Sequence, residues 1–102
     1  MSDISFASDK QLDLRAIAKD KATDADTLMQ LSKSKDTILI YGLATNPSLP
    51  EKLMEKFAKH RISTVRGSVA KNPNLPQHLF DLLAADDDFF VQMSVKEARA
   101  RR

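Results

Sequence analysis

Side chains able to do chemistry are few in this 102-residue chain, and their spacing assembles none of the familiar reactive sites. There is no Cys, which excludes disulfides, thiolate metal sites and iron–sulfur clusters. The two histidines, His60 and His78, stand apart with a turn and a helix expected between them, so they supply no clustered metal ligands. Asp86, Asp87 and Asp88 form an acidic run. A calcium loop needs alternating ligands and a glycine, so the run is read as a cap for the helix that follows. Ser63, Thr64 and Ser68 lie near His60 without the motif that would make one of them a nucleophile. His60 itself is read as a helix C-terminal residue favoured by the helix dipole. Gly42 and Gly67 are isolated, so no loop cradles a phosphate. The expectation is a non-enzymatic protein with no catalytic residue, no metal and no cofactor.

Binding chemistry has more to work with. The net charge is only +2, but residues 51–71 hold six basic and two acidic groups. Residues 72–90 hold four Asp and no Lys or Arg, and residues 91–102 hold four basic groups against Glu97. Lys52 and Lys56 alternate with Glu51 and Glu55, the pattern of a solvated helix face laced with ion pairs. Lys59, Arg61, Arg66 and Lys71, joined by Lys33 and Lys35, are left to form a ridge, read either as a phosphate-binding surface, as solubilising charge or as a protein contact. Arg99, Arg101 and Arg102 form a basic tail of the kind that is usually solvated and mobile. Tyr41 is the one tyrosine and is read either as a protein-contact anchor or as partly buried. The candidate partner-binding residues are therefore Tyr41, Lys59, Arg61, Arg66 and Lys71.

The elements that must carry these side chains are set by self-similarity. All four prolines lie in NPSLP, residues 46–50, and NPNLP, residues 72–76, an offset of 26. Residues 39–64 laid over 65–90 need no gap and give seven identities. The offset extends outward, aligning Leu39 with Val65 and Val91, Ile17 with Leu43, Val69 and Val95, and Leu28 with Met54 and Phe80. Such a period is the signature of a solenoid whose units bury their apolar faces only by stacking. Each unit is expected to hold two short helices. The first lies near 64–71 with Ser63 as N-cap and stops before Pro73, helped by the tolerance of Asn72 for a left-handed ending. The second starts at Pro76 as its first residue and turns Leu79, Phe80, Leu83 and Ala84 inward. Asp20, Lys21 and Asp24 replace Asn, Pro and Pro in the first unit, which predicts a looser or helical connection there.

The run VRGSVAKNPNLPQHLFDLLA, Val65 to Ala84, resembles the leucine-rich repeat variant family, a HEAT-like bacterial repeat. The resemblance covers most of the chain and is strongest over 39–90. It implies units that pair a short helix, often 3₁₀ in character, with an α-helix, stacked into a right-handed superhelix. The family's usual repeat is a little shorter than 26 residues. One member carries an iron–sulfur cluster on a separate cysteine cluster, which this Cys-free chain lacks. Repeats of this class mostly serve as binding surfaces, and the fold does not specify the ligand.

The reading is an all-α, short right-handed solenoid forming one domain over 1–102. Residues 1–12 are an N-terminal capping segment, 13–38, 39–64 and 65–90 are repeats, and 91–102 are a partial fourth repeat and basic tail. Its function is binding, with a protein partner leading and nucleic acid, held by the Lys/Arg ridge, as the alternative. Phe89 and Phe90 replace Ser63 and Thr64 of the previous unit and either close the core or form a dimer contact, which leaves monomer and homodimer through an exposed solenoid end both open. No secretory leader or membrane-spanning run is present in the sequence, so no membrane association and a cytoplasmic location are expected.

Overall fold

The structure, a computed structural model, describes residues 9–102. Among them the chain is all-α: α1 (Asp9–Lys19), α2 (Ala25–Leu31), α3 (Thr37–Ala44), α4 (Glu51–Ala58), α5 (Ser63–Ala70), α6 (Gln77–Ala84) and α7 (Phe89–Arg99). Most of the expected capping segment lies outside the described residues, and residues 9–12 are simply the first turn of α1. Unit boundaries at 39, 65 and 91 fall two residues inside α3, α5 and α7. The short helices α3 and α5 are α-helical, not 3₁₀.

Local chemistry explains the starts of α2 to α7. Asp24 accepts from the Thr27 amide, Asp36 from those of Ile38 and Leu39, and Asp88 from that of Val91, so three helices begin on a carboxylate cap. Pro50 and Pro76 occupy the N-cap position instead of the first helical position, because both hold an extended ψ of 145° and 150°. Their carbonyls still accept the first intrahelical bonds, from Leu53 and Met54 and from Leu79 and Phe80. At α5 the cap residue is Ile62, not Ser63; its carbonyl accepts from Val65 and Arg66.

The odd-numbered helices pack in series, α1 on α3, α3 on α5 and α5 on α7, while α4 packs on both α5 and α6. The described molecule is elongated, 45 × 27 × 23 Å. Its core is built from columns of equivalent residues: Ala18, Ala44 and Ala70; Leu28, Met54 and Phe80; Leu39, Val65 and Val91. All are buried. Leu79, Phe80 and Leu83 point inward as expected, whereas Ala84 is only half-buried. Ile17 departs from its column, since it is exposed while Leu43, Val69 and Val95 are buried.

The turns are tied by side chains. Asn46 donates from Nδ2 to the carbonyls of Ala18 (2.8 Å) and Asp20 (3.0 Å), and its Oδ1 accepts from the Ser48 amide. Asn72 does the same one turn on, to Ala44 (2.9 Å) and Asn46 (2.7 Å), with the Asn74 amide on its Oδ1. The connection at 20–24 is a turn as well and is not helical. Asp20 accepts from the Ala22 amide, which reproduces the acceptor half of the asparagine's role.

Candidate binding surface

The four cations expected to lead a ridge, Lys59, Arg61, Arg66 and Lys71, have separate surroundings. Lys59 is exposed and pairs with Glu55 at 3.1 Å, an i, i+4 pair on α4. Arg66 is turned into the structure: its guanidinium meets Asp86 through Nε at 2.7 Å and Nη2 at 3.2 Å, and its Nη1 donates to the carbonyls of His60 and Arg61. That bidentate hold keeps the Asp86 carboxyl below its ordinary range. Arg66 therefore fastens the loop before α7 to α5 and is not a free cation. Arg61 is exposed beside Lys35 in a hollow of about 350 Å³ that also contains His60. Lys71 is the C-cap at the far end of α5, an eight-residue helix about 12 Å long at the usual helical rise, whereas Arg61 precedes its start. There it pairs with Glu97 at 3.4 Å, and its ammonium sits 5.6 Å from the Phe90 ring centre.

His60 does not serve as a cation on the helix dipole. Its Nδ1 accepts from the Ile62 amide at 3.0 Å, which requires an unprotonated nitrogen. Burial, then the charges of Arg61, Lys56 and Arg66, lower its pKa below the ordinary value. The neighbouring hydroxyls are also committed, Thr64 to the Tyr41 hydroxyl at 2.9 Å and Ser68 to the Thr64 carbonyl. His78 is exposed on α6. Among the described residues no cluster of three or more acidic or histidine side chains is placed to hold a metal ion.

The structure draws attention to a surface the ridge argument missed. α1, α3 and α5 line an open cleft of about 590 Å³ that includes Tyr41 and Lys71 from the sequence candidates. Leu12 on α1 and Ile38 on α3 stand in it 50% and 55% exposed, at positions 26 residues apart. Arg15 and Lys19 line it from α1. Arg15 is held by Asp36 in a bidentate pair (2.7 and 3.1 Å), with Gln11 also donating to that carboxylate, which is pulled down to about 2. Lys19 lays its aliphatic stem against Gly42, where a Cβ would come within 2.5 Å of its Cγ. The signal for this surface is present in the sequence as the apolar pair Leu12 and Ile38, which a search for ion ridges passes over.

At the other end of the chain, the basic tail is partly docked. Arg102 stacks 4.3 Å from the Phe80 ring centre and donates to the Leu75 carbonyl at 2.8 Å, and Arg99 lies 5.4 Å from the same ring. Phe90 packs over Gly67, whereas Phe89 is 79% exposed, so the two phenylalanines divide between closure and surface. No helix among the described residues is long and apolar enough to cross a membrane. No family model matches the chain, and no curated protein or solved structure matches it.

Proposed function

We propose that this chain is a non-enzymatic helical-repeat binding module, a short HEAT-like solenoid of 26-residue units of the leucine-rich repeat variant kind, whose partner is a protein. Two features support the repeat reading: α2, α4 and α6 begin at residues 25, 51 and 77, and the Asn46 and Asn72 side chains bridge successive turns in the same way. The observation that carries the function is the cleft on α1, α3 and α5, with two large aliphatic side chains half in solvent at equivalent positions. Exposed aliphatic groups gathered in one concave surface, unlike apolar side chains scattered singly, are the kind a partner covers. Nucleic acid is the second reading, favoured by Lys35 and Arg61 facing one hollow on the opposite edge.

A photo-crosslinking amino acid placed at Ile38, and separately at Leu82 on α6, tests the choice in living cells. Crosslinks to protein from position 38 and none from 82 are expected. Nucleic acid trapped in place of protein, or equal crosslinking from both positions, would refute the protein reading.

A further inference from the structure

We propose that the cleft on α1, α3 and α5 is a docking groove for an extended peptide segment bearing one apolar side chain flanked by carboxylates. The inference rests on the reading of the chain as a protein-binding module. Its chemistry follows from what lines the groove. Leu12 and Ile38 offer aliphatic surface from adjacent helices. The Tyr41 ring, fixed through its hydroxyl to Thr64, is half-buried beside them. An apolar anchor is what such a site takes.

Among the described residues, every charged group lining the cleft is a cation: Arg15, Lys19 and Lys71. They differ in what they have left to give. Arg15 is spent on Asp36, with both carboxylate oxygens engaged. Lys71 shares a 3.4 Å pair with Glu97, whose side chain is half exposed, so an incoming carboxylate can exchange for it. Lys19 has no ion pair among the described residues, and its stem on Gly42 carries the ammonium toward α3. One free and one exchangeable ammonium, set around an aliphatic floor, match a short acidic segment with a central apolar residue. A phosphate backbone asks for a longer row of free cations and makes no use of Leu12 and Ile38.

The test is fluorescence anisotropy on the purified full chain with three labelled decapeptides and a labelled single-stranded oligonucleotide. One peptide sets a central Leu among Glu and Asp, the second replaces that Leu by Ala, and the third replaces the acids by Lys. Saturable binding of the first is expected, weaker by about tenfold for the second and absent for the third. Lys19→Met keeps the stem over Gly42 and removes the charge, and Ile38→Ser alters a half-exposed side chain. Each is expected to weaken the first peptide by about tenfold without changing the far-UV circular dichroism, while Lys52→Met on α4 leaves binding unchanged.

Binding that ignores both groove variants, tighter binding of the oligonucleotide through the same residues, or no binding of any peptide overturns the proposal. Protein trapped at position 38 together with no acidic-peptide binding removes only the acidic assignment. Failure of both experiments removes the module reading with it.

Discussion

Three side chains of different type do the same local work. Ser34 Oγ, His60 Nδ1 and Asp86 Oδ1 each accept from the backbone amide two residues on, at 3.0, 3.0 and 2.9 Å, and so shape the turns before α3, α5 and α7. Of the three, only His60 has an ordinary pKa close to neutrality. Its native pKa is lowered chiefly by burial, so the native state binds the proton more weakly than the unfolded chain, whose value is near 6.5. The contribution of the neutral ring is complete above that value and is lost as pH falls through the lowered one. Asp36, held at about 2 by Arg15 and Gln11, follows the same sign at lower pH: its contribution is intact above about 4 and disappears toward 2. Stability measured by urea unfolding is therefore expected to begin falling as pH drops below about 6.5, where the unfolded ring protonates, and to fall again below about 4, where Asp36 and Asp86 lose their ionised partnerships. His60→Ser, which puts the side chain of position 34 into the equivalent turn, is expected to remove the first loss and leave the second. No loss of stability between about 6.5 and 4 in the parent, or an unchanged loss there in the variant, would show that the ring is not the titrating group.

At the scale of elements, close helix approach depends on what is missing from α3 and α5. A Cβ at Gly67 would lie 2.3 Å from Phe90 Cε2 and 2.5 Å from Cδ2, so the ring of α7 rests directly on the backbone of α5. Gly67→Ala has two opposed effects, a helix-propensity gain of up to about 1 kcal/mol and an overpacking cost of about 1–3 kcal/mol. Net destabilisation of about 1 kcal/mol is expected in the parent, reversing to stabilisation in a Phe90→Ala background where the ring is gone. Thermal unfolding of the four variants measures this, and additivity between the two sites would contradict the contact. Helix existence, the proline-bounded ends and the buried columns are all legible in the sequence, because apolar spacing and proline chemistry are local. Partner choice is not. Arg66 and Lys71 look alike in a list of cations, yet Arg66 is enclosed by Asp86 and Lys71 faces a cleft; the difference is made by residues 20 or more positions away. The asparagines are legible as turn formers, but the two carbonyls each one bridges belong to a segment 26 and 28 residues earlier.

Across the whole molecule, the proposed repeat reading gives those asparagines a further role, that of setting the terms on which units add. Asn46 and Asn72 each donate backward to two carbonyls and hold their own turn with the remaining oxygen. Asp20, 26 residues before Asn46, has an acceptor but no side-chain amide to donate, and Ala98 stands 26 residues after Asn72. A duplicated unit of residues 39–64, inserted after residue 64, places a new Asn in reach of the Ala44 and Asn46 carbonyls and its own carbonyls in reach of Asn72. The expected product is a folded, soluble chain that gains one helix pair. Its urea m-value is expected to rise by about one quarter, because m follows the surface exposed on unfolding and the insertion lengthens the chain by about that share. An insertion that lacks two residues at its junction with α5 turns the faces of that helix by about 200° and moves Asn72 away from its acceptors, so loss of cooperative unfolding is expected there. If the full-length duplication also unfolds without cooperativity, or if the shortened one folds equally well, the 26-residue unit is not the building block of this fold.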